Sequence, residues 1–160
     1  MITAVDTNIL LDILIPDETF LKSSKELLDQ HVSKGQLIIC ELAYAELSSQ
    51  FLDEQELRSF IAGTGIRLVP SDQRVLDLAG RTWREYRRDR KALLQCPSCG
   101  KATPVVCPSC NSALKIRQHI ISDFIIGAHA LRNAEVLLTR DRGFYKTYFK
   151  GLRIEQLPVK

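Results

Sequence analysis

Two Cys-Pro-Ser-Cys elements stand close together in this sequence. They supply four thiols that could bind one metal ion: Cys96, Cys99, Cys107 and Cys110. Two CxxC pairs are the ligand pattern of tetrahedral zinc sites. Four sulfur ligands leave no open coordination position, so we expect this zinc to be structural rather than catalytic. A rubredoxin-like iron site and thiol redox chemistry are the alternatives.

Four acidic residues on either side of the cysteines are candidates for a catalytic centre: Asp6, Glu46, Asp123 and Asp141. Glu46 and Asp123 stand in apolar surroundings, where a solvated acid is not expected, while Asp6 and Asp141 could simply cap helices. Carboxylates gathered in one place repel each other unless a cation lies between them. Mg²⁺ or Mn²⁺ would fit, because these hard cations take oxygen ligands.

The elements that would position these acids alternate between apolar strands and helices. Strands are predicted at 3–6, 37–40, 66–69, 135–139 and 152–154. Helices are predicted at 8–14, 19–32, 41–51, 53–62, from 71 or 72 towards 93, 116–131 and 141–149. This alternation predicts a mostly parallel central sheet with helices on both faces. Ligands of such sheets bind beyond the carboxyl ends of strands, where Asp6 and Asp141 both fall.

Composition limits the class of protein. A chain of 160 residues supports one domain with a small appendage, and 45% apolar residues suit a globular protein. The apolar runs are too short to span a membrane, and the N-terminus does not resemble a signal peptide. We therefore expect a cytoplasmic protein, in which disulfides are disfavoured and zinc is the better interpretation of the cysteines. The net charge of +3 does not by itself indicate nucleic acid.

The cysteine elements divide the chain into three parts. Residues 95–113 are rich in Pro, Ser, Gly and Cys and form a predicted zinc-ribbon insert between 1–94 and 114–160. Cys40, outside the insert, follows an apolar run and is expected in the core. His129 is expected to pack or to lie at the surface. Five further acids are interpreted as surface or capping residues: Asp12, Asp17, Asp53, Asp72 and Asp77.

Four short motifs resemble those of the PIN-domain nucleases. They are Val-Asp-Thr-Asn at 5–8, Ala-Tyr-Ala-Glu-Leu at 43–47, Ser-Asp-Phe-Ile-Ile-Gly-Ala-His-Ala at 122–130 and Leu-Leu-Thr-Arg-Asp-Arg-Gly-Phe at 137–144. The resemblance covers nearly the whole chain except the insert, and it is greatest to compact toxins of VapC type. It implies a three-layer α/β/α fold around a mostly parallel sheet.

The resemblance also implies an activity. Asp6, Glu46, Asp123 and Asp141 match the metal-binding acids of an endoribonuclease that hydrolyses RNA with Mg²⁺ or Mn²⁺. Three polar residues match supporting positions: Thr7, Asn8 and Thr139. The implied partners are RNA, an antitoxin protein and a second copy of the chain. The chain departs from the family pattern at Gly143, where many relatives carry a further Asp, and in the cysteine insert.

A basic stretch leads into the insert. Arg84, Arg88 and Lys91 could contact RNA phosphates, with Trp83 available for stacking on bases. The alternative is a solvated helix face with Trp83 in the core. Two other functions remain open for the whole chain. One is an RNA-maturation nuclease, since zinc ribbons also accompany PIN domains there, and the other is a non-catalytic module that binds RNA or protein.

Overall fold

A parallel sheet forms the centre of the computed structural model, which describes residues 1–16, 18–89, 93–96, 101–114, 119–141 and 143–157. Its five strands lie in the order β3-β2-β1-β6-β7, and all four neighbouring pairs are parallel. The strands are β1 (Ile2–Val5), β2 (Gln36–Ile39), β3 (Arg67–Leu68), β6 (Val136–Thr139) and β7 (Ile154–Gln156).

Helices connect these strands. They are α1 (Thr7–Leu14), α2 (Leu21–Val32), α3 (Glu41–Ser48), α4 (Glu54–Thr64), α5 (Gln73–Asp89), α6 (Ile121–Asn133) and α7 (Phe144–Tyr148). From β1 the chain steps outward through β2 to β3, and it then returns to place β6 on the other side of β1. The direction of the strand order therefore reverses between β1 and β6. Such a switch point opens a crevice at the carboxyl ends of the two strands.

Burial in the central strands agrees with helices on both faces of the sheet. Side chains of successive strand residues point to opposite faces. Thr3, Ala4 and Val5 are nevertheless all buried, as is the whole of β6. The sequence prediction of an α/β fold with a parallel central sheet is thus confirmed.

Two helix ends show how local sequence sets the boundaries. The Asp53 carboxylate accepts a 2.8 Å hydrogen bond from the Gln55 amide and caps the start of α4. Gly65 ends α4 in the left-handed conformation, with φ +67°, which costs glycine little. Asp72 accepts from the Val75 amide in the same way at the start of α5. The capping interpretation of Asp53 and Asp72 is correct.

Two predicted helices differ from the observed ones. In the described residues α5 ends at Asp89, and Leu93 lies in a strand, β4 (Leu93–Gln95), instead of the same helix. A short apolar run suits helix or strand equally, and here pairing with β5 (Ala102–Pro104) decides. The helix expected from residue 116 begins at Ile121, because Ile120 has an extended backbone.

At the start of the predicted insert β4 pairs antiparallel with β5, and within it a bridge joins Val106 to Ala113. The backbone amide of Cys96 donates to the Lys101 carbonyl at 2.9 Å. The amide of Cys107 donates to the Ser112 carbonyl, also at 2.9 Å. Each first cysteine therefore bonds to the residue five positions later. The predicted ligand Cys99 lies outside the described residues.

Cys40, expected in the core, and His129, expected to pack or to lie at the surface, are both buried. Cys40 is buried in the core, where desolvation raises the pKa of its thiol to about 11. His129 is also buried, and its Nε2 lies 2.8 Å from the carbonyl oxygen of Val69. Burial lowers the pKa of His129, so the imidazole is neutral at pH 7. Separately, the described part of the chain contains no helix long and apolar enough to cross a bilayer.

Candidate active site

Asp6 lies at the switch point, directly after β1, with only 6% of its surface exposed. Its Oδ2 accepts hydrogen bonds from Thr139 Oγ1 at 2.6 Å and from Asn8 Nδ2 at 2.7 Å. The Asp6 backbone stands at the N-cap of α1, but its side chain makes no capping bond. The helix-capping alternative for Asp6 is therefore wrong.

The environment of Asp6 disfavours its charged form. Burial raises the pKa of its carboxyl group to about 6, and the charges of Asp123 and Glu46 add to the increase. The hydrogen bond from Thr139 acts in the opposite direction. Three acids from separate parts of the sequence are thus close enough to influence each other. A cation among them would offset both the desolvation and the repulsion.

Glu46 is half-buried on α3 and is joined to α1. Thr7 Oγ1 donates a 2.6 Å hydrogen bond to Glu46 Oε2. Thr7 is the first residue of α1 and is followed by Asn8, which donates to Asp6. The first turn of α1 therefore supplies donors to both acids. The structure therefore brings Thr7 and Glu46 together.

The other two acids are bound to helix N-termini. Asp123 Oδ2 accepts a 2.8 Å hydrogen bond from the Ile120 amide at the start of α6. Asp141 Oδ1 accepts from the amides of Gly143 and Phe144, at 3.0 and 2.6 Å, at the start of α7. The Asp141 amide itself donates to Thr139 Oγ1 at 3.0 Å. Asp141 therefore does cap the final helix, one of the two roles expected from its position.

No group of three or more His, Cys, Asp or Glu side chains is arranged to hold a metal ion within the ranges that the structure describes. The same result holds for the three described insert cysteines: Cys96, Cys107 and Cys110. Each of the four acids accepts a hydrogen bond from a hydroxyl or amide donor. The four acids still suit Mg²⁺ or Mn²⁺ chemically, because these ions prefer carboxylate oxygens as ligands.

Sequence reasoning missed two residues beside the acids. Tyr145 is buried in α7, and burial together with the charges of Asp6, Asp123 and Asp141 raises the pKa of its phenol well above the usual value. Its hydroxyl is therefore a proton donor. In the sequence Tyr145 directly follows Phe144, the end of the last motif, and this position could have indicated it. An aromatic residue there is more readily interpreted as part of the core.

The second missed residue is His119. Its ring stacks on Phe144 with centroids 4.0 Å apart, and its Nδ1 lies 3.6 Å from Asp123 Oδ2. The His119 amide donates to the Tyr86 hydroxyl at 3.4 Å. His119 was missed because the segment was assigned to a helix, whereas it precedes the helix and lies against the site.

Asp12 was interpreted as a surface or capping acid, and this is wrong. Only 3% of Asp12 is exposed, and its Oδ1 lies 3.2 Å from Arg140 Nη1. Ser24 Oγ donates to Asp12 Oδ2 at 2.6 Å. The Arg140 amide also donates to Asn8 Oδ1 at 3.1 Å, so the ion pair connects to the donors of Asp6. The spacing of Asn8 and Asp12, one helical turn apart, was the overlooked signal.

The basic face of α5 is exposed to solvent at Arg84 and Arg88. Trp83, the residue before Arg84, packs against the core, as the alternative interpretation expected, and the Arg87 guanidinium lies 5.2 Å from its ring centroid. A role for Trp83 in stacking on bases is therefore not favoured. Lys91 lies outside the described residues.

A family model described as the PIN domain matches residues 3–150 of this chain. The chain therefore belongs to the PIN-domain family. The match extends across the cysteine insert.

Solved structures agree on the fold. A chain of VapBC2 from Rickettsia felis, bound to a promoter DNA fragment, is 18% identical with a TM-score of 0.61; the match covers 99% of this chain and 100% of that one. A chain of VapBC-1 from nontypeable Haemophilus influenzae is 17% identical with a TM-score of 0.62, and the match covers 98% of both chains. A chain of a toxin–antitoxin complex from Klebsiella pneumoniae is 18% identical with a TM-score of 0.53, and the match covers 96% of both chains. The search of curated proteins gave no match.

Proposed function

We propose that this PIN-domain protein is a divalent-metal-dependent endoribonuclease and the toxin of a toxin–antitoxin pair. The observation that carries the proposal is the environment of Asp6. A buried carboxylate at the switch point of the sheet, with a pKa raised to about 6 beside Asp123 and Glu46, is costly for stability. Such a cost is expected where the group has a chemical task.

Asp6, Glu46 and Asp123 are the residues that would hold Mg²⁺ or Mn²⁺, with Asp141 as the fourth acid. The described hydrogen bonds engage one oxygen each of Glu46 and Asp123, Oε2 and Oδ2 respectively. The remaining carboxylate oxygens would be available to a divalent ion.

The neutral residues of the site fix the orientation of the acids. Thr139 and Asn8 hold Asp6 through Oδ2, and Thr7 holds Glu46. Hydrogen bonds to carboxylates also favour their charged forms. A bound divalent ion supplies Lewis acidity towards the phosphate and towards the attacking water. We assign no side chain as the general base.

RNA binding is proposed from the charge of α5. Arg84 and Arg88 lie one turn apart on this helix and are exposed, so they could contact successive phosphates. Lys91 continues the same basic stretch in the sequence. We place the action of the enzyme in the cytoplasm, where its RNA substrate would be.

The proposed partners follow from the solved relatives. Those structures include VapBC complexes and a toxin–antitoxin complex, all with chains of this length and fold. We propose that an antitoxin binds this chain and that two copies form a homodimer. A small reading frame for a DNA-binding protein next to this gene would support the pairing.

We further propose that the cysteine insert binds one structural zinc ion through Cys96, Cys99, Cys107 and Cys110. Support comes from two equivalent backbone hydrogen bonds, from the Cys96 amide to the Lys101 carbonyl and from the Cys107 amide to the Ser112 carbonyl. In addition, hydrogen bonds from Ser112 and then from Cys107 lower the pKa of Cys110. A more acidic thiol is deprotonated more readily and is a better zinc ligand.

The zinc proposal has a direct test. Metal analysis of the purified protein should find about one zinc ion per chain. Cys96→Ser should lower the zinc content, whereas Cys40→Ala should retain it because Cys40 lies in the core. A wild-type zinc content in the Cys96→Ser protein would show that Cys96 is not a zinc ligand.

The nuclease proposal is tested by cleavage mapping on total cellular RNA. The protein should cut RNA with Mg²⁺ or Mn²⁺ and stop cutting when EDTA is added. Asp6→Asn should remove cleavage while leaving the circular dichroism spectrum unchanged. Equal cleavage by the wild-type and variant proteins would reject the assignment and leave a binding module as the better account. Cuts confined to ribosomal precursors would instead favour RNA maturation.

A further inference from the structure

A pair of stacked rings joins the two chain segments that carry Asp123 and Asp141. The imidazole of His119 stacks on the phenyl ring of Phe144, with centroids 4.0 Å apart and ring planes 17° from parallel. His119 precedes α6 and Phe144 begins α7, so the contact links the starts of these two helices. Neither ring has a role in the function proposed above, and the stack therefore requires an explanation.

Each ring belongs to the backbone that holds one of the acids. The amide of Phe144 donates to Asp141 Oδ1 at 2.6 Å. His119 is followed by Ile120, whose amide donates to Asp123 Oδ2 at 2.8 Å. The His119 carbonyl and the Ile120 amide form one rigid peptide unit, so a shift of His119 would move that donor. The stack thus connects the donors of two acids from different motifs.

His119 is also fixed by α5. Its amide lies 3.4 Å from the hydroxyl oxygen of Tyr86, and the two rings meet edge to face with centroids 6.1 Å apart. Tyr86 is buried and packs on Phe124 of α6, with centroids 5.4 Å apart. By contrast, His119 Nδ1 lies 3.6 Å from Asp123 Oδ2, which is too long for a hydrogen bond. Ring packing and the backbone, rather than that nitrogen, therefore hold His119 in place.

We propose that His119 is a positioning residue, whose stack on Phe144 holds the acids at the starts of α6 and α7 at the spacing that binds the divalent ion. This inference rests on the proposed function, since it assumes that Asp123 and Asp141 serve that ion. Mg²⁺ demands near-ideal octahedral geometry, so displacing one carboxylate relative to another weakens binding. His119 would act through the Ile120 amide and would not contact the substrate.

The test compares two variants of the same residue. His119→Phe keeps a ring that can stack on Phe144 and removes both ring nitrogens, whereas His119→Ala removes the stack. Binding of Mn²⁺ to the whole protein would be measured by electron paramagnetic resonance. His119→Ala should weaken binding about tenfold or more, as for other partners of ligating groups, while His119→Phe should bind like the wild type. Equal or greater weakening in His119→Phe would assign the effect to the nitrogens and overturn the inference.

Phe60→Ala is the matched control, because Phe60 belongs to an aromatic pair on a different helix, α4. Its ring centroid lies 5.8 Å from that of Phe51. Phe60→Ala should lower the midpoint of urea unfolding and leave Mn²⁺ affinity unchanged. A loss of affinity as large as that in His119→Ala would attribute both losses to general destabilisation and remove the specific role of His119.

Cleavage kinetics provide a second readout. His119→Ala should lose activity at low Mn²⁺ and regain most of it at saturating Mn²⁺, whereas damage to packing alone would lower activity equally at all concentrations. Wild-type Mn²⁺ affinity in His119→Ala would overturn the inference and leave the nuclease proposal standing. A wild-type protein that neither binds Mn²⁺ nor cuts RNA would overturn both.

A double-mutant cycle measures the stack without metal or substrate. His119→Leu keeps much of the side-chain volume without a ring, and it also replaces His119→Ala if that protein does not fold. His119→Leu and Phe144→Leu would be combined, and the midpoints of urea unfolding compared for the four metal-free proteins. Residues in contact give non-additive effects, so additive shifts would contradict the contact on which the inference depends.

Discussion

Thr139 Oγ1 donates a 2.6 Å hydrogen bond to Asp6 Oδ2 and so joins the carboxyl ends of the two strands that flank the switch point. The same oxygen of Thr139 accepts the Asp141 amide at 3.0 Å. One fully buried hydroxyl thus orients an acid from the first motif and the backbone of the last. Residues 133 positions apart in sequence are coupled by this contact.

We predict that Thr139→Val lowers RNA cleavage about tenfold to a hundredfold, because it removes a donor to Asp6 while nearly preserving side-chain shape. Thr139→Ser keeps the hydroxyl and should retain most of the activity. The measurement is the rate of cleavage of one defined RNA at fixed Mn²⁺. Equal losses in both variants would point to packing of the methyl group instead.

The second prediction concerns stability and pH. The pKa of Asp6 is about 6 in the folded protein and about 3.8 in the unfolded chain. Between these values the folded state binds more protons, so the contribution of Asp6 to the free energy of unfolding falls as pH rises from about 4 to 6. The full fall is on the order of 3 kcal/mol, from a shift of roughly two pKa units at 1.36 kcal/mol each.

Asp6→Asn should remove this pH dependence, since an amide does not titrate in that range. The metal-free variant should therefore be more stable than the wild type at pH 7.5 and should lose that advantage near pH 4. Urea unfolding at both pH values measures the difference. Added Mn²⁺ should raise the melting temperature of the wild type alone. If the variant were less stable than the wild type at pH 7.5, the charged Asp6 carboxylate would not destabilise the folded protein as we predict.

The sequence was sufficient to predict the central strands and the acids because both are local signals. Apolar runs such as 37–40 predict buried strands, and Asp6 directly follows one of them. The directions of side chains could not be predicted in the same way. Asp6 at a helix N-cap could point along the helix or into the crevice, and only the positions of Thr139 and Asn8 decide this.

The residues that were missed depend on contacts distant in sequence. Asp12 is buried and pairs with Ser24 of α2 and with Arg140, and the charge of Asp6 acts on Tyr145. Neither contact leaves a pattern at short spacing. The last strand was placed at 152–154 but lies at Ile154–Gln156, because its register is set by pairing with β6. Leu93 was likewise assigned to a helix because its strand is set by pairing with β5, which is distant in sequence.

The buried ion pair yields a third prediction. Asp12→Ala would leave the Arg140 guanidinium without its carboxylate and remove the acceptor of Ser24. We expect a loss of about 3 kcal/mol in the free energy of unfolding, as for other broken buried pairs. Glu54→Ala is the control, because it removes an exposed ion pair with Arg58 that should contribute less than about 0.5 kcal/mol. Urea unfolding measures both, and similar losses would contradict the difference in burial.

Gly127 provides the last prediction, because alanine is normally the better residue in the middle of a helix. A Cβ atom at Gly127 in α6 would lie 2.7 Å from Cδ2 and Cζ of Phe149, whose ring is buried among other aromatic rings. Gly127→Ala should therefore destabilise the protein by about 1–3 kcal/mol, in line with other overpacked cores. The expected result is a lower urea midpoint.

Gly80 is the matched control on α5, because a Cβ atom there would meet nothing within 4 Å. Gly80→Ala should raise the free energy of unfolding by roughly 0.5–1 kcal/mol, since glycine loses more backbone entropy in a helix. The two changes are chemically identical, so their opposite signs would isolate the contact with Phe149. Stabilisation by both would mean that the ring of Phe149 can move aside, and that α6 and the segment after α7 are packed less tightly than the structure indicates.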